Sequence, residues 1–396
     1  MKDSLIALAF ALLMFSIPVS GKSMFDTAIK PGAANSREWM RLLTGKHVAL
    51  VINQTSCVGD SSVLDMMLAR HIAVQKIMVP EHGFRGSADA GAHIDNGKDE
   101  TTGLPVISLY GNHKKPTTED LEGIDVVVYD LQDVGVRFYT YISTMEYCME
   151  ACAQQGKMLV VLDRPNPNGF YVDGPVLQKE NRSFVGMQAV PVVYGMTCGE
   201  YAQMLKGENW FDKAGNLDLH IIKCANYDHS KKYALPIAPS PNLKNMAAVY
   251  AYPSVCLFEG TKISVGRGTA FPFQQWGAPE LSGKYNYTYT PAAMVGAKNP
   301  PYEGKTCYGV LIGETPEAVL KEVNNRLEIK WLKDAYEAYP EKDKFFTDFF
   351  TKLAGTTQLQ DQVKRGISET AIRKSWRKDI DSFKKTRKKY LLYRDF

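Results

Sequence analysis

The sequence predicts an α/β fold, a Rossmann-like, mostly parallel sheet domain followed by a smaller α+β C-terminal domain. Three observations carry this expectation. Short apolar runs alternate with segments of helical periodicity from about residue 37 to residue 223, the pattern of βαβ units. Two of the runs, 124–130 and 158–163, are apolar almost without a break, as strands covered on both faces are. Beyond about residue 236 the texture changes, because Pro236, Pro239, Pro241 and Pro253 punctuate a loop-rich junction.

Taken in order, the chain opens on Lys2, an apolar run over 5–15, then Pro18 and the small residues Val19, Ser20 and Gly21. This pattern predicts a secretory signal peptide over 1–21, too short to span a bilayer. The mature protein is expected to be exported, periplasmic and without a membrane span. A strand over 47–53 follows, then a helix over 61–71 that Ser61 or Ser62 caps, a strand over 72–79, and a Gly-, Asp- and His-rich segment over 87–104. Next come a short strand at 106–110, a short helix from Thr117 and the buried run 124–130. Phe138, Tyr141, Met145, Cys148 and Cys152 recur every three or four residues, which predicts a helix over 137–155. The run 158–163 stops at Arg164-Pro165-Asn166-Pro167, and a helix at 197–206 and a strand at 217–223 complete a sheet domain over 22–238. The second domain, 239–396, carries a helix opened by Thr315-Pro316. It ends on a helix from Ser368 with Ile372, Trp376, Ile380, Phe383 and Tyr390 on one face and nine basic residues on the other, read as a solvated face.

Composition narrows the function classes. The 396 residues are 45% hydrophobic and 23% charged, with a net charge of +4, too mild a balance for a nucleic-acid partner. Seven cysteines are an odd number without a framework spacing, and most read as small buried hydrophobes. No CxxC pair, HExxH or His cluster points to a metal. The turn after the first strand, 53–60, holds one glycine, and Gly266-Arg267-Gly268 runs on to Pro272. Neither is a dinucleotide fingerprint, so no cofactor is expected.

The chemistry-bearing residues cluster at strand ends. Asn53, Glu81, Asp130 and Asp163 each terminate a buried run, and ligands of open α/β sheets bind outside the carboxyl ends of the strands. Glu81, His82 and Arg85 fall within five residues of one another, with Gly83 and Gly86 permitting a tight course. The loop 258–277, rich in Gly, polar and aromatic residues, reads as a cover over a ligand. Its Arg267 either meets the ligand or pairs with one of the protein's own carboxylates.

Six ordered motifs carry a resemblance. They are Glu81-His-Gly-Phe-Arg-Gly86, Ser108-Leu-Tyr-Gly111, the stretch from Asp130-Leu-Gln-Asp133 to Arg137-Phe-Tyr-Thr-Tyr141, Asp163-Arg-Pro-Asn-Pro167, Pro239-Ser-Pro-Asn242, and Glu259-Gly-Thr with Gly266-Arg-Gly-Thr269. Together they resemble the NamZ-type exo-β-N-acetylmuramidases over nearly the whole mature chain. The resemblance implies an active site between the two domains. It also implies release of N-acetylmuramic acid from the non-reducing ends of peptidoglycan glycans, by hydrolysis of the β-1,4 bond to N-acetylglucosamine. Glu81 is then the leading catalytic residue, and a Glu at a strand end suits protonation of the leaving oxygen.

The second catalytic role is open among His82, Asp130, Asp133, Asp163, Tyr139 and the substrate's own acetamido group. The lactyl carboxylate of muramic acid calls for a guanidinium, from Arg85, Arg137, Arg164 or Arg267. Tyr110, Tyr139, Tyr141, Tyr194 and Trp276 are candidates for sugar faces, and Asn53, Gln132, Asn242 and Glu259 complete the substrate-binding set. Two other readings compete: a metal-dependent hydrolase with Asp130, Asp163, Glu81 and His82 as ligands, and a wall-binding protein without turnover.

Overall fold

The computed structural model describes residues 29–81, 83–84 and 96–396; the leader, His82 and Arg85 lie outside the described residues. Seven strands form the central sheet: β1 (His47–Ile52), β2 (Ala73–Val79), β3 (Gly97–Lys98), β4 (Pro105–Ser108), β5 (Val126–Asp130), β6 (Met158–Leu162) and β7 (Asp218–Ile222). Their order is β7-β6-β5-β1-β2-β4-β3. Every pairing is parallel except that of the edge strand β3 with β4.

Successive side chains of a strand point to opposite faces, and both faces are covered. Val48, Leu50, Ile52, Val126 and Val128 pack with Trp39 and Leu43 of α1 (Ser36–Leu43) and with Val63, Leu64 and Met67 of α2 (Val63–Leu68). Ala49, Val51, Val127 and Tyr129 face the opposite way, onto α3 (Tyr141–Gln155) and α4 (Cys198–Gly207). This explains why the sequence of β5 shows no alternation: all five of its residues are buried. All seven cysteines are free thiols, six of them buried.

The second lobe is built on a three-stranded antiparallel sheet, Gln275–Ala278, Cys307–Leu311 and Tyr287–Tyr289, flanked by short helices. Its core runs without interruption into the α3 face of the first lobe. The terminal helix Glu369–Lys388 lies against the strand Asp173–Val176, with Ile372, Trp376, Ile380 and Phe383 buried. The tail then returns to the sheet, where Tyr393 donates its hydroxyl to Asp163 at 2.7 Å and the Leu392 amide donates to Glu200 at 2.8 Å.

Three local expectations are corrected. The segment from Thr117 is a run of turns, not a helix: Thr117 and Asp120 cap it reciprocally, but Gly123 at φ +70° ends it before a second helical turn. Helix α3 starts four residues later than its periodicity, since the Arg137 amide donates to the Val192 carbonyl and Val136 bridges Val193. Pro253 does not interrupt the junction but lies inside α5 (Met246–Val255). Proline has no N–H for the carbonyl four residues back, and Asn168 Nδ2 donates to that Val249 oxygen at 3.2 Å instead.

Candidate active site

A cavity of about 620 Å³ opens at the carboxyl ends of β2 and β4. The sheet lobe contributes Glu81, Tyr110, Lys114 and the residues leading into α3; the second lobe contributes Ser240, Glu259, Arg267, Phe273 and Phe349. Glu81 follows Pro80 at the end of β2, where the Gly83 amide closes a turn onto the Pro80 carbonyl at 3.1 Å and Gly83 takes φ +73°. A side chain with a Cβ is strained in that conformation. β4 is extended by one pairing, Leu109 N–H to Val79 O, at 2.8 Å, and this sets the next residue, Tyr110, beside Glu81.

Two hydroxyls orient the Glu81 carboxylate. Tyr110 donates to Oε1 at 2.9 Å and Thr140 donates to Oε2 at 3.1 Å. Thr140 is the N-cap residue of α3, yet its hydroxyl makes no cap hydrogen bond and serves Glu81. The carboxylate therefore stands at the positive end of a helix dipole. Burial, and then the charge of Glu81, push the Tyr110 phenol well above its ordinary pKa, so it remains a donor. On the opposite wall Arg267 donates Nε to Glu259 Oε1 at 2.7 Å and lies 5.0 Å over the Phe273 ring. Burial works against its charge, but the Glu259 carboxylate outweighs it and raises the guanidinium pKa. Lys114 sits 5.2 Å over the Phe184 ring, with no carboxylate partner among the described residues.

Other expected site residues are spent inside the protein. Asp130 is fully buried and holds Arg164 through two bonds, Nε to Oδ1 at 2.5 Å and Nη2 to Oδ2 at 2.9 Å. Burial raises the Asp130 carboxyl and opposes the charge of Arg164, while the two bonds between them favour the charged form of each, enough to leave the guanidinium pKa raised. Asp163 accepts from the Arg164 and Gly199 amides and the hydroxyls of Thr197 and Tyr393. Asp133 accepts from Tyr194 and the Gly135 amide, and its other oxygen is buried without a partner.

Arg137 meets no carboxylate among the described residues: it donates to the carbonyls of Pro175, Val190 and Leu353, and burial pulls its pKa down to about 9. Asn53 binds Thr55 and Tyr141, Gln132 binds the Asp133 and Pro165 carbonyls, and Asn242 binds the Gly296 carbonyl. Trp276 is a core residue stacked on Phe258 at 5.3 Å. Tyr139 does line the cavity, with its hydroxyl given to the Pro239 carbonyl at 2.9 Å.

Distance agrees with this partition. At about 4.8 Å between neighbouring strands, Asp130 on β5 is displaced from the end of β2 by roughly 10 Å and Asp163 by roughly 14 Å. The structure thus brings Glu81, Tyr110, Tyr139, Glu259 and Arg267 together and leaves the acids at 130, 133 and 163 in the scaffold. Among residues the sequence reading missed, Thr140 lay inside a quoted motif and was legible there. Lys114 and Phe184 arrive from loops, and Phe349 from the first turn of the helix Phe349–Ala354, none of which carries such a signal in its sequence.

The fold and site define the class: a two-lobed α/β protein whose ligand cavity lies at the carboxyl edge of a parallel sheet and holds one hydroxyl-oriented carboxylate. Models of the exo-β-N-acetylmuramidase NamZ N-terminal and C-terminal regions match residues 48–247 and 250–393. The chain is 36% identical over 420 aligned positions to the peptidoglycan β-N-acetylmuramidase NamZ of Bacillus subtilis strain 168, covering 99% of this chain and 100% of that protein. Two crystal structures of DUF1343 family proteins from Bacteroides fragilis NCTC 9343 are also similar. One has a TM-score of 0.85 at 42% identity, covering 93% of this chain and 99% of its own; the other has 0.73 at 30%, covering 92% and 99%. The chain belongs to the NamZ exo-β-N-acetylmuramidase family and is a glycoside hydrolase.

Two predictions follow from the scaffold acids. Arg164→Met leaves Asp130 as a buried unpaired charge and lowers stability by about 3–5 kcal/mol; adding Asp130→Asn recovers part of the loss, as read by urea denaturation of both variants. Burial also pushes Asp133 and Asp163 up to about 6 each, above the unfolded value of about 3.9. A raised folded pKa gives stability that is complete below about 3.9 and is lost as pH rises through about 6. Asp133→Asn is therefore expected to flatten the decline of the denaturation midpoint between pH 4 and pH 6.

Proposed function

We propose that the protein is exported and acts on the cell wall, releasing N-acetylmuramic acid from the non-reducing ends of peptidoglycan glycans with Glu81 as its acid–base residue. The observation that carries this reading is the pair of hydroxyls, Tyr110 and Thr140, fixed on the two oxygens of a carboxylate that faces the cavity. A glycosidic bond breaks when its exocyclic oxygen accepts a proton while positive charge develops at the anomeric carbon. Glu81 delivers that proton; once ionised, it takes one from the water that completes hydrolysis.

The partner group is the substrate's 2-acetamido oxygen. It attacks the anomeric carbon as the leaving oxygen departs, forming a cyclic intermediate that water opens with net retention. Two facts favour it over a protein nucleophile. The acids at 130, 133 and 163 are engaged with Arg164 or with scaffold donors, and Glu259, the other carboxylate lining the cavity among the described residues, is paired with Arg267.

Arg267 and Lys114 supply the cations for the lactyl carboxylate. Glu259 fixes the Arg267 guanidinium by Nε and leaves its forked terminal nitrogens for a carboxylate, the geometry in which arginine binds bidentately. The aromatic walls Phe138, Phe273 and Phe349 are apolar faces for the sugar ring.

Glu81→Gln is expected to cut kcat on a chromogenic β-N-acetylmuramic acid glycoside by about 10²–10⁴-fold while the variant still binds the glycan. Unchanged turnover removes Glu81 from the mechanism, and an α-configured first product, seen by NMR, removes the acetamido step. Arg267→Met is expected to lower kcat/KM on that substrate by roughly 10–100-fold, the worth of a charged hydrogen bond, and to leave the weak N-acetylglucosaminide rate in place. Equal losses on both substrates exclude a lactyl-specific role.

A further inference from the structure

Beside the catalytic cavity lies a second hollow of about 420 Å³, and Phe184 lines both. Phe184 stands at the tip of a hairpin turn in which Ser183 and Gly186 exchange two backbone hydrogen bonds of 3.0 Å. Its ring stacks on Tyr147 at 6.0 Å with an interplanar angle of 11°. The same ring meets Tyr110, the residue that holds Glu81, at 6.4 Å. Aromatic side chains therefore run from the acid, across the rim and into the hollow, where Trp210 and Phe211 continue the lining.

Two side-chain atoms of this lining are buried without a hydrogen-bond partner among the described residues, Glu146 Oε2 and Ser183 Oγ. Glu146 is 3% exposed, and its other oxygen accepts from Gln188 Nε2, which also donates to the Trp210 carbonyl at 3.0 Å. Orphaned buried polar atoms are rare and costly unless something outside the chain completes them. Burial pushes the Glu146 carboxyl up to about 7, so near neutral pH it both accepts and donates. The remaining polar lining is Glu150, tied to Lys115 at 3.0 Å, with Asp212 and the exposed Arg182, which donates to Gln188. Three carboxylic side chains against one lining cation disfavour an anion and favour donors such as hydroxyls and amides. Flat aromatic faces combined with such acceptors recognise an uncharged sugar.

We propose that this hollow is a second glycan subsite. It takes an uncharged N-acetylhexosamine of the leaving strand against Tyr147 and Trp210, with hydroxyl or amide groups completing Glu146 and Ser183. The assignment rests on the reading of the neighbouring cavity as the muramidase site. An enzyme that removes one terminal sugar must accommodate the rest of the strand outside its cavity, and the shared Phe184 rim is where the two hollows meet. The subsite makes the enzyme favour long strands over small glycosides.

The test compares Tyr147→Ala and Trp210→Ala with wild type on three substrates: the chromogenic monosaccharide glycoside, the N-acetylmuramyl-N-acetylglucosamine disaccharide, and glycan oligomers of six or more sugars. The expected result is a loss of at least tenfold in kcat/KM on the oligomers with the chromogenic rate unchanged. Tyr147→Phe, which keeps the ring, restores the oligomer rate. A variant that merely misfolds slows all three substrates together and lowers the melting temperature. Equal losses on all three at unchanged melting temperature, or no loss on the oligomers, overturn the proposal. Calorimetric titration of the uncleaved oligomer into Glu81→Gln, with and without Tyr147→Ala, separates the two readings. If wild type cleaves none of the glycosides, the muramidase reading fails, while a tenfold affinity loss in that titration still identifies the glycan subsite and an unchanged affinity removes it.

Discussion

The buried ion pair between Asp130 and Arg164 decides where this molecule can hold a ligand. In a parallel α/β sheet the crevice opens where strand order reverses, which here lies between β1 and β5. That place is already occupied. Arg164 reaches across it to Asp130 and to the Cys57 carbonyl, while Ser56 donates to the Asp130 carbonyl and Thr55 accepts from the Gln132 amide. Two charges withdrawn from water need all of their hydrogen bonds met by the chain itself, so the centre of the edge becomes scaffold. The cavity is displaced to the next two strand ends, β2 and β4, where Glu81 and Tyr110 stand.

The same economy governs the other polar strand ends. Asp163 ties together the loop after β6, the N-terminus of α4 and the returning C-terminal tail. The two lobes are thereby held at the edge of the sheet, and the second lobe can present Glu259 and Arg267 opposite Glu81. The acids at 130, 133 and 163 serve the scaffold, while the hydroxyls of Tyr110 and Thr140 steer the Glu81 carboxylate at the rim of the cavity.

The cavity and the neighbouring hollow share one wall, the Phe184 turn, and their characters differ. The first sets the Glu81 carboxylate opposite Arg267, which Glu259 holds by Nε, and Lys114, both cations on aromatic rings and both placed to meet an anionic sugar. The second offers carboxylic oxygens and a hydroxyl on aromatic faces, suited to neutral sugars. That sequence of environments matches a glycan in which muramic acid and N-acetylglucosamine alternate, and it arises from one two-residue turn between Ser183 and Gly186.

Much of this was legible in the residues themselves. The continuous apolar runs of β5 and β6 report burial on both faces, because hydrophobicity on every residue is stable only when neither face meets water. The charged end of β2 marked Glu81, since an ionisable side chain is a poor terminus for a core strand unless it serves the edge. What tertiary structure alone decided is the commitment of each polar group. Asp130 and Glu81 look alike along the chain, each a carboxylate at a strand end. One meets a guanidinium brought from residue 164, the other two hydroxyls brought from residues 110 and 140. Which groups a strand-end carboxylate meets depends on partners distant in sequence, and no local pattern encodes that distance. Lys114, Phe184 and Phe349 enter the cavity by the same route, through the packing of two loops and a short helix whose own sequence is silent about where they meet.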